Sequence, residues 1–231
     1  MIKFRGKTAA LAAAVAVSCL LPRAGNAQLL APGATVPVVS LSTFSDMVIS
    51  ARSAPYTFTN SGMTLSGTAY TAVGRGGVDA VCPLGGCLDF FYQVQTSGTV
   101  FTQSFSAYFF AGFVTYVNLI TNGSAIGSGF VDGSYEVPGE VSATRSASPG
   151  EHVDWYLGTG AVPPGSASEV FEIETNASGF GSSGEYAILA TSPFVAVTSA
   201  FDPVSTPEPS SLLLLGTGLV GMGAFARRRT R

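Results

Sequence analysis

Lysine is almost missing from this sequence, and charged residues of every kind are scarce. Only 11% of the 231 residues are charged, against about 25% in an average soluble protein. Both lysines, Lys3 and Lys7, precede residue 8, and between residues 28 and 206 three arginines stand against thirteen acidic residues, a net charge of −10. A lysine-free, acidic surface repels phosphate backbones, which excludes nucleic-acid binding as the function of this part.

Histidine and cysteine are nearly as scarce, with one histidine, His152, and three cysteines in the chain. A structural zinc site takes four ligands, mostly nitrogen and sulfur atoms, and only three such residues remain once Cys19 is removed with the N-terminal segment. The sequence also lacks phosphate-loop, dinucleotide-binding and metalloprotease signatures, and it has no Gly-x-Ser-x-Gly nucleophile motif. We therefore expect a non-enzymatic protein without catalytic or metal-binding residues. A secreted hydrolase that uses His152 or paired carboxylates is an alternative.

Residues 1–27 have the organisation of a secretory signal peptide. An uncharged apolar run over residues 8–21 is too short to span a bilayer comfortably. Small residues precede a cleavage point between Ala27 and Gln28. Cys19 follows a loose box of small residues, so lipid modification of this cysteine is an alternative. The cations that precede the apolar run are Lys3, Arg5 and Lys7.

The other end of the chain has the pattern of a membrane anchor. Residues 210–226 are uncharged and apolar, and an arginine cluster of Arg227, Arg228 and Arg229 follows them. As a helix, such a stretch is roughly 25 Å long, the short limit for crossing a bilayer. Arginines after the span hold that end in the cytoplasm. Residues 28–205 are therefore expected on the outer side of the inner membrane.

A proline-rich tripeptide, Pro207-Glu208-Pro209, stands directly before this apolar stretch. Its prolines resist helix formation, so the segment is expected to be extended and exposed. The tripeptide, the Ser-Ser-Leu-Leu-Leu-Leu-Gly run after it, the glycine-rich apolar stretch and the terminal arginines closely resemble the bacterial PEP-CTERM sorting signal. The resemblance covers residues 206–231, and Thr206 stands where the family usually has valine.

This resemblance implies that exosortase, a membrane-embedded transpeptidase-like enzyme, recognises the signal and acts near the tripeptide. Proteins with the signal are generally surface or matrix components of Gram-negative bacteria that make exopolysaccharide. The implied partners are exosortase, the inner membrane before processing, and an exopolysaccharide. A plain membrane anchor is the alternative.

The sequence between the two ends predicts β-structure. Apolar and polar residues alternate with a period of two over residues 88–95, 171–174 and 185–188, and clusters of Gly, Asn, Ser and Pro separate such runs. This spacing favours an antiparallel sandwich. We predict an all-β, jelly-roll-like sandwich of roughly nine to twelve strands over residues 28–205. The apolar run 107–120 is predicted to form a central strand pair.

Two cysteines remain after removal of the signal peptide, Cys82 and Cys87, and four residues separate them. Export to an oxidising compartment favours a disulfide between them. The intervening Gly85 and Gly86 allow so short a loop to close.

Acidic residues near the single histidine suggest two further hypotheses. Glu151, Asp154 and Trp155 are predicted ligand-binding residues of a carbohydrate-binding or adhesive module, because aromatic rings stack on sugars and carboxylates bind hydroxyl groups; a core position for Trp155 is the alternative. Oxygen ligands from several loops also suggest a Ca²⁺ site, although no EF-hand or nonapeptide pattern is present. The predicted Ca²⁺ ligands are Asp132, Glu136, Glu140, Glu151 and Asp154.

Overall fold

A computed structural model describes residues 27–38, 40–41, 44, 46–76, 81–82, 85–134, 141–158, 161–190 and 194–205. The predicted signal peptide up to residue 26, the tripeptide, the anchor and the arginine cluster lie outside the described residues. Among the residues in these ranges, no helix has the length and apolar character needed to span a bilayer.

Thirteen strands and one short 3-10 turn, Gly123–Ile126, make up the regular structure of the described ranges. The predicted all-β fold is confirmed. The strands outnumber the predicted nine to twelve because Gln28–Leu29 and Ser40–Leu41, of two residues each, are counted. The strands are β1 (Gln28–Leu29), β2 (Thr35–Pro37), β3 (Ser40–Leu41), β4 (Met47–Asn60), β5 (Met63–Arg75), β6 (Leu88–Thr96), β7 (Thr102–Tyr108), β8 (Thr115–Ile120), β9 (Ser142–Arg145), β10 (His152–Tyr156), β11 (Val170–Thr175), β12 (Gly179–Ala190) and β13 (Val195–Val204).

The strands form two sheets. Sheet 1 has the order β1-β8-β11-β6-β5-β4, and β3 pairs with β8 beside β1. Sheet 2 has the order β13-β12-β7-β10-β9-β2. All pairs are antiparallel except the short pair of β3 and β8, as expected for strands that tight turns and short loops connect.

The strand order differs from the predicted jelly roll, because the long strands near each end pair with their neighbours in sequence. β4 pairs with β5 at the edge of sheet 1, and β12 pairs with β13 at the edge of sheet 2. The first hairpin is encoded locally. Ser61 and Gly62, with φ of 50° and 79°, connect the paired residues Asn60 and Met63, which is the geometry of a tight two-residue hairpin loop.

The apolar run 107–120 does not form the predicted strand pair. β7 lies in the middle of sheet 2, between β12 and β10, whereas β8 belongs to sheet 1. The chain crosses from one sheet to the other over residues 109–114. Phe109 and Gly112 have φ of 77° and 85° in this crossing, and Phe110 is buried. The run is apolar on both faces because it contributes to both sheets and to the connection between them.

The main core lies between the two sheets and is rich in aromatic rings. Phe105 of β7 and Trp155 of β10 face sheet 1, and their ring centroids lie 4.9 and 5.3 Å from that of Phe171 in β11. Tyr92 of β6 lies 5.1 Å from Tyr186 of β12. Strands of both sheets therefore contribute to one core, as in stacked-sheet folds.

A second, smaller core covers the outer face of sheet 1. The loop after β8 places apolar side chains on this face, so the middle of sheet 1 is buried on both sides. This explains why β6 is apolar on both faces, a pattern typical of doubly covered strands. The buried members are Ala72, Phe91, Ile120, Ile126, Phe130 and Val170, with Phe44, Val48, Ala51 and Tyr70 packed against them.

The predicted disulfide is confirmed. Cys82 and Cys87 are bonded, with their Cα atoms 5.8 Å apart. Gly85 and Gly86 have φ of 71° and 84°, a backbone conformation that glycine adopts without strain. The bridge closes the connection between β5 and β6 directly before Leu88.

A buried arginine connects the crossing segment to both sheets. Arg145, the last residue of β9, is 2% exposed, and all five of its guanidinium N–H groups donate hydrogen bonds. The acceptors are the carbonyl oxygens of Gly150 (3.1 Å), Leu30 (3.3 Å), Phe110 (2.6 Å) and Phe113 (2.9 Å) and the hydroxyl oxygen of Thr115 (2.9 Å). Burial lowers the pKa of Arg145. The five acceptors around the guanidinium offset the cost of burying its charge.

Replacing Arg145 with lysine should destabilise the protein strongly. Lysine retains the charge but has only three donors, so buried carbonyl oxygens lose their partners. We expect the free energy of unfolding in urea titrations to fall by roughly 3 kcal/mol or more. Arg75→Lys, at the exposed end of β5, is the matched control and should change it by less than about 0.5 kcal/mol. Equal effects of the two substitutions would contradict the role given to Arg145.

Candidate functional site

β10 places the residues that were predicted to bind sugar on opposite faces of sheet 2. Trp155 points into the main core, is 0% exposed and packs against Phe171. Asp154 lies on the outer face with His152 and Tyr156. The prediction that Trp155 stacks on a sugar is therefore wrong, because successive residues of a strand point to opposite faces.

The outer face of sheet 2 carries a short chain of hydrogen-bonding groups. The Ser106 hydroxyl of β7 donates to Asp154 Oδ1, and Asp154 Oδ2 lies 3.3 Å from His152 Nε2. A serine hydrolase has its histidine between the serine and the acid, so that the imidazole takes the hydroxyl proton. Here the aspartate stands between the other two. This order does not provide the contact between serine and imidazole that triad chemistry requires.

Two tyrosines border this polar chain. The Tyr108 ring lies 5.3 Å from the His152 ring, and Tyr156 is 56% exposed on the same face. Glu151 directly precedes β10 and is partly exposed. The outer face therefore presents an aromatic ring beside polar groups, and Tyr156 occupies the position that the sequence had suggested for Trp155.

A second polar site lies on the outer face of sheet 1. One carboxylate oxygen from each of Asp46, Asp89 and Glu172 lies within 4.8 Å of the other two. Asp89 of β6 and Glu172 of β11 are 3% and 5% exposed. Glu174 is directly opposite Asp89 across the ladder of β6 and β11. Glu174 is thus a fourth carboxylate beside the other three. We call Asp46, Asp89, Glu172 and Glu174 the acidic cluster.

Asp46 reaches the acidic cluster because Gly74 of β5 has no side chain. A Cβ atom added at Gly74 would lie 3.1 Å from the Cβ of Asp46 and 2.8 Å from the Phe91 ring. The segment before β4 therefore lies directly on the sheet. Phe44 in this segment packs its ring edge-on against Phe91, with centroids 5.3 Å apart. This aromatic contact holds the segment that carries Asp46.

β8 adds an amide beside the acidic cluster. Asn118 is 0% exposed and lies directly opposite Glu172 in the ladder of β8 and β11, so their side chains share one face. Its Nδ2 donates to Glu174 Oε1 at 3.1 Å, whereas its Oδ1 has no hydrogen-bond partner. A buried oxygen without a partner costs about 1–3 kcal/mol.

The surroundings of Asp89 disfavour its charged form. Burial, followed by the negative charges of Glu172 and Asp46, raises the pKa of Asp89 far above its usual range. Close carboxylates in a site with little water are stable when they share a proton or when a cation lies between them. The acidic cluster has the chemistry of a site for a proton or a hard cation.

The carboxylates that were predicted to share Ca²⁺ do not form one site. Asp132 lies in the loop that covers sheet 1, and hydrogen bonds from the Ser124 hydroxyl and backbone N–H, at 2.6 and 3.0 Å, lower its pKa. Asp154 lies on the outer face of sheet 2, so both sheets separate it from Asp132. Glu136 and Glu140 lie outside the described residues.

Asp89, Glu172 and Asn118 were not predicted from the sequence as members of a site. The acids of β11 alternate with apolar residues, and this alternation indicated a strand but no site. A signal was nevertheless present in β6, where Asp89 stands in a run that is apolar on both faces, a position that is rarely charged. Asp46 gave no signal, because its position depends on how the preceding segment lies on Gly74.

The fold and the two polar sites first define a class: an all-β, disulfide-bonded protein with two sheets and a polar site on the outer face of each. The family model for the PEP-CTERM protein-sorting motif matches residues 205–229, which confirms the resemblance seen in the tripeptide and the arginine cluster. The motif implies processing by exosortase and export to the cell envelope or surface. No curated protein and no solved structure matches the chain.

Adjacent substitutions in β10 should differ widely in their effect on stability. Trp155→Ala removes a central ring of the main core and should lower the free energy of unfolding by roughly 3–5 kcal/mol. Tyr156→Ala removes an exposed ring and should change it by less than about 0.5 kcal/mol. Urea titrations measure both. A loss at Tyr156 as large as that at Trp155 would contradict the assignment of faces.

Proposed function

We propose that the protein is a non-enzymatic structural component of the surface or extracellular matrix of a Gram-negative bacterium, associated there with exopolysaccharide. The sorting motif at residues 205–229 is the observation that carries this proposal. The all-β, disulfide-bonded fold supports it, because such folds suit an oxidising environment outside the cytoplasm.

Two features of the outer faces favour a structural role over an enzymatic one. The polar chain of Ser106, Asp154 and His152 has the wrong order for a catalytic triad. The acidic cluster is covered by the segment that carries Phe44 and Asp46, so it offers little access to a substrate. The acidic composition also keeps the protein soluble outside the cell.

Processing in this proposal begins from a membrane-bound precursor. The signal peptide directs export, and residues 210–226 then hold the chain in the inner membrane with Arg227, Arg228 and Arg229 on the cytoplasmic side. Residues 28–205 lie on the outer side. Exosortase acts near Pro207-Glu208-Pro209, and the released protein reaches the surface.

Deleting residues 207–231 should abolish surface sorting. Fractionation of the native host should then find the truncated protein in the periplasm or the medium, because both the recognition element and the anchor are gone. A second variant with alanine at 207, 208 and 209 keeps the anchor and should accumulate as an unprocessed precursor in the inner membrane.

The matched control replaces Arg227, Arg228 and Arg229 with lysines, which preserves the positive end of the anchor and should leave sorting largely intact. Unchanged surface fractions after the deletion, or the same sorting in a host without exosortase, would contradict the proposal.

A carbohydrate-binding module is the second candidate, and the exposed outer face of sheet 2 favours it. Tyr156 provides an exposed ring, and Asp154 and His152 provide hydrogen-bonding groups beside it. The apolar face of such a ring stacks on sugars, and polar neighbours bind sugar hydroxyl groups.

Polysaccharide pull-down with the host's own exopolysaccharide tests this candidate. Tyr156→Ala should weaken binding at least about tenfold if the ring contributes a typical stacking contact. Phe101→Ala, which removes a comparably exposed ring outside this polar chain, should leave binding unchanged. Equal binding by both variants and the wild type would remove the outer face of sheet 2 as the binding site.

A further inference from the structure

We propose that Asp46, Asp89, Glu172 and Asn118 form a calcium-binding site on the outer face of sheet 1. The proposal stands on the geometry of β6, β8 and β11 and on the segment before β4. It does not depend on how the protein is sorted.

The chemistry of the ligands selects a hard cation. The acidic cluster offers carboxylate oxygens, and Asn118 offers an amide oxygen, the ligand types that Ca²⁺ takes in proteins. Because Ca²⁺ lies about 2.3–2.6 Å from each oxygen, its ligands lie up to about 5 Å from one another. The three carboxylate oxygens are within 4.8 Å of each other. One ion can therefore contact Asp46, Asp89 and Glu172 together.

Asn118 supplies an observation independent of the acids. Its amide nitrogen is held by Glu174 at 3.1 Å, and its amide oxygen is buried without a hydrogen-bond donor. The side chain lies opposite Glu172 on the same face of the sheet. A cation held by Glu172 would supply this oxygen with a positive partner. Glu174 then acts by orienting the amide rather than by binding the ion.

Gly74 shows that the site is built into the fold. Any side chain there would collide with Asp46 and Phe91, so the sheet leaves room for an acid that comes from outside it. The Phe44 ring packed on Phe91 fixes the same segment. A bound ion would tie this segment to β6 and β11, which lie in the interior of sheet 1.

Charge explains why ion binding would stabilise the fold. Three carboxylates that lie close enough to share one ion repel each other when little water screens them. A doubly charged cation offsets most of this repulsion. Extracellular calcium modules bind with dissociation constants of about 10⁻⁴–10⁻³ M, and we expect an affinity in this range.

Thermal unfolding of the full-length protein in EDTA and in CaCl₂ tests the proposal. At a calcium concentration about 100 times the dissociation constant, the unfolding midpoint should rise by roughly 5–10 °C. Asp89→Asn should abolish this rise. In EDTA the same variant should unfold close to the wild-type temperature, because asparagine has nearly the size of aspartate and places no charge among the remaining carboxylates.

Two controls separate this site from exposed acids. Asp132→Asn changes an acid of the loop over sheet 1, and Glu185→Gln changes an exposed acid of sheet 2. Both variants should retain the full calcium-dependent rise. If Asp89→Asn does not fold, Glu172→Gln takes its place in the comparison.

Terbium luminescence gives a second readout, to be excited through Tyr116, which is directly opposite Glu174 in the ladder of β8 and β11. Calcium should displace the terbium, and Asn118→Leu should weaken calcium binding at least about tenfold through loss of one oxygen ligand. The proposal is overturned if the wild type shows no calcium-dependent rise, if Asp89→Asn keeps it, or if Asp132→Asn loses it.

Discussion

Four of the five hydrogen bonds of the Arg145 guanidinium satisfy backbone carbonyl groups that have left the strand ladders, and the rest of the fold depends on this contact. Wherever the chain leaves one sheet for the other, backbone carbonyls leave the strand ladders and need other donors. The crossing 109–114, the turn at Gly150 and Leu30 after β1 bring four such carbonyls to one place. A single arginine donates hydrogen bonds to all of them. Gly150 leaves room for its side chain, since a Cβ atom there would lie 2.6 Å from Arg145 Nε. The two sheets stack around this contact.

The two outer faces differ in how they are covered. Sheet 1 carries a second apolar core and the acidic cluster beneath the loop after β8 and the segment of Phe44. Sheet 2 leaves Tyr156, Val195 and Val197 exposed. The covered face therefore suits a buried ion that strengthens the fold, whereas the open face suits contact with other molecules. This division follows from the strand order, because the covering loop connects β8 and β9 across sheet 1.

Alternation in the sequence predicted β6, β11 and β12 correctly, because a period of two depends only on neighbouring residues. The close pair of cysteines likewise predicted their disulfide. Alternation does not show which sheet a strand joins, so the run 107–120 was assigned to one pair instead of two sheets. Nor does it show whether a polar face is covered by a distant segment. For this reason neither Glu172 nor Asp46 received a role from the sequence.

The last strand, β13, ends at Val204, and the matched motif begins at residue 205. Three residues lead from Val204 to Pro207, a reach of about 10 Å even when fully extended. Only Ser205 and Thr206 therefore separate the last strand from the tripeptide Pro207-Glu208-Pro209. β13 is an edge strand of sheet 2, so the segment that the motif marks for exosortase follows a sheet edge directly in the sequence.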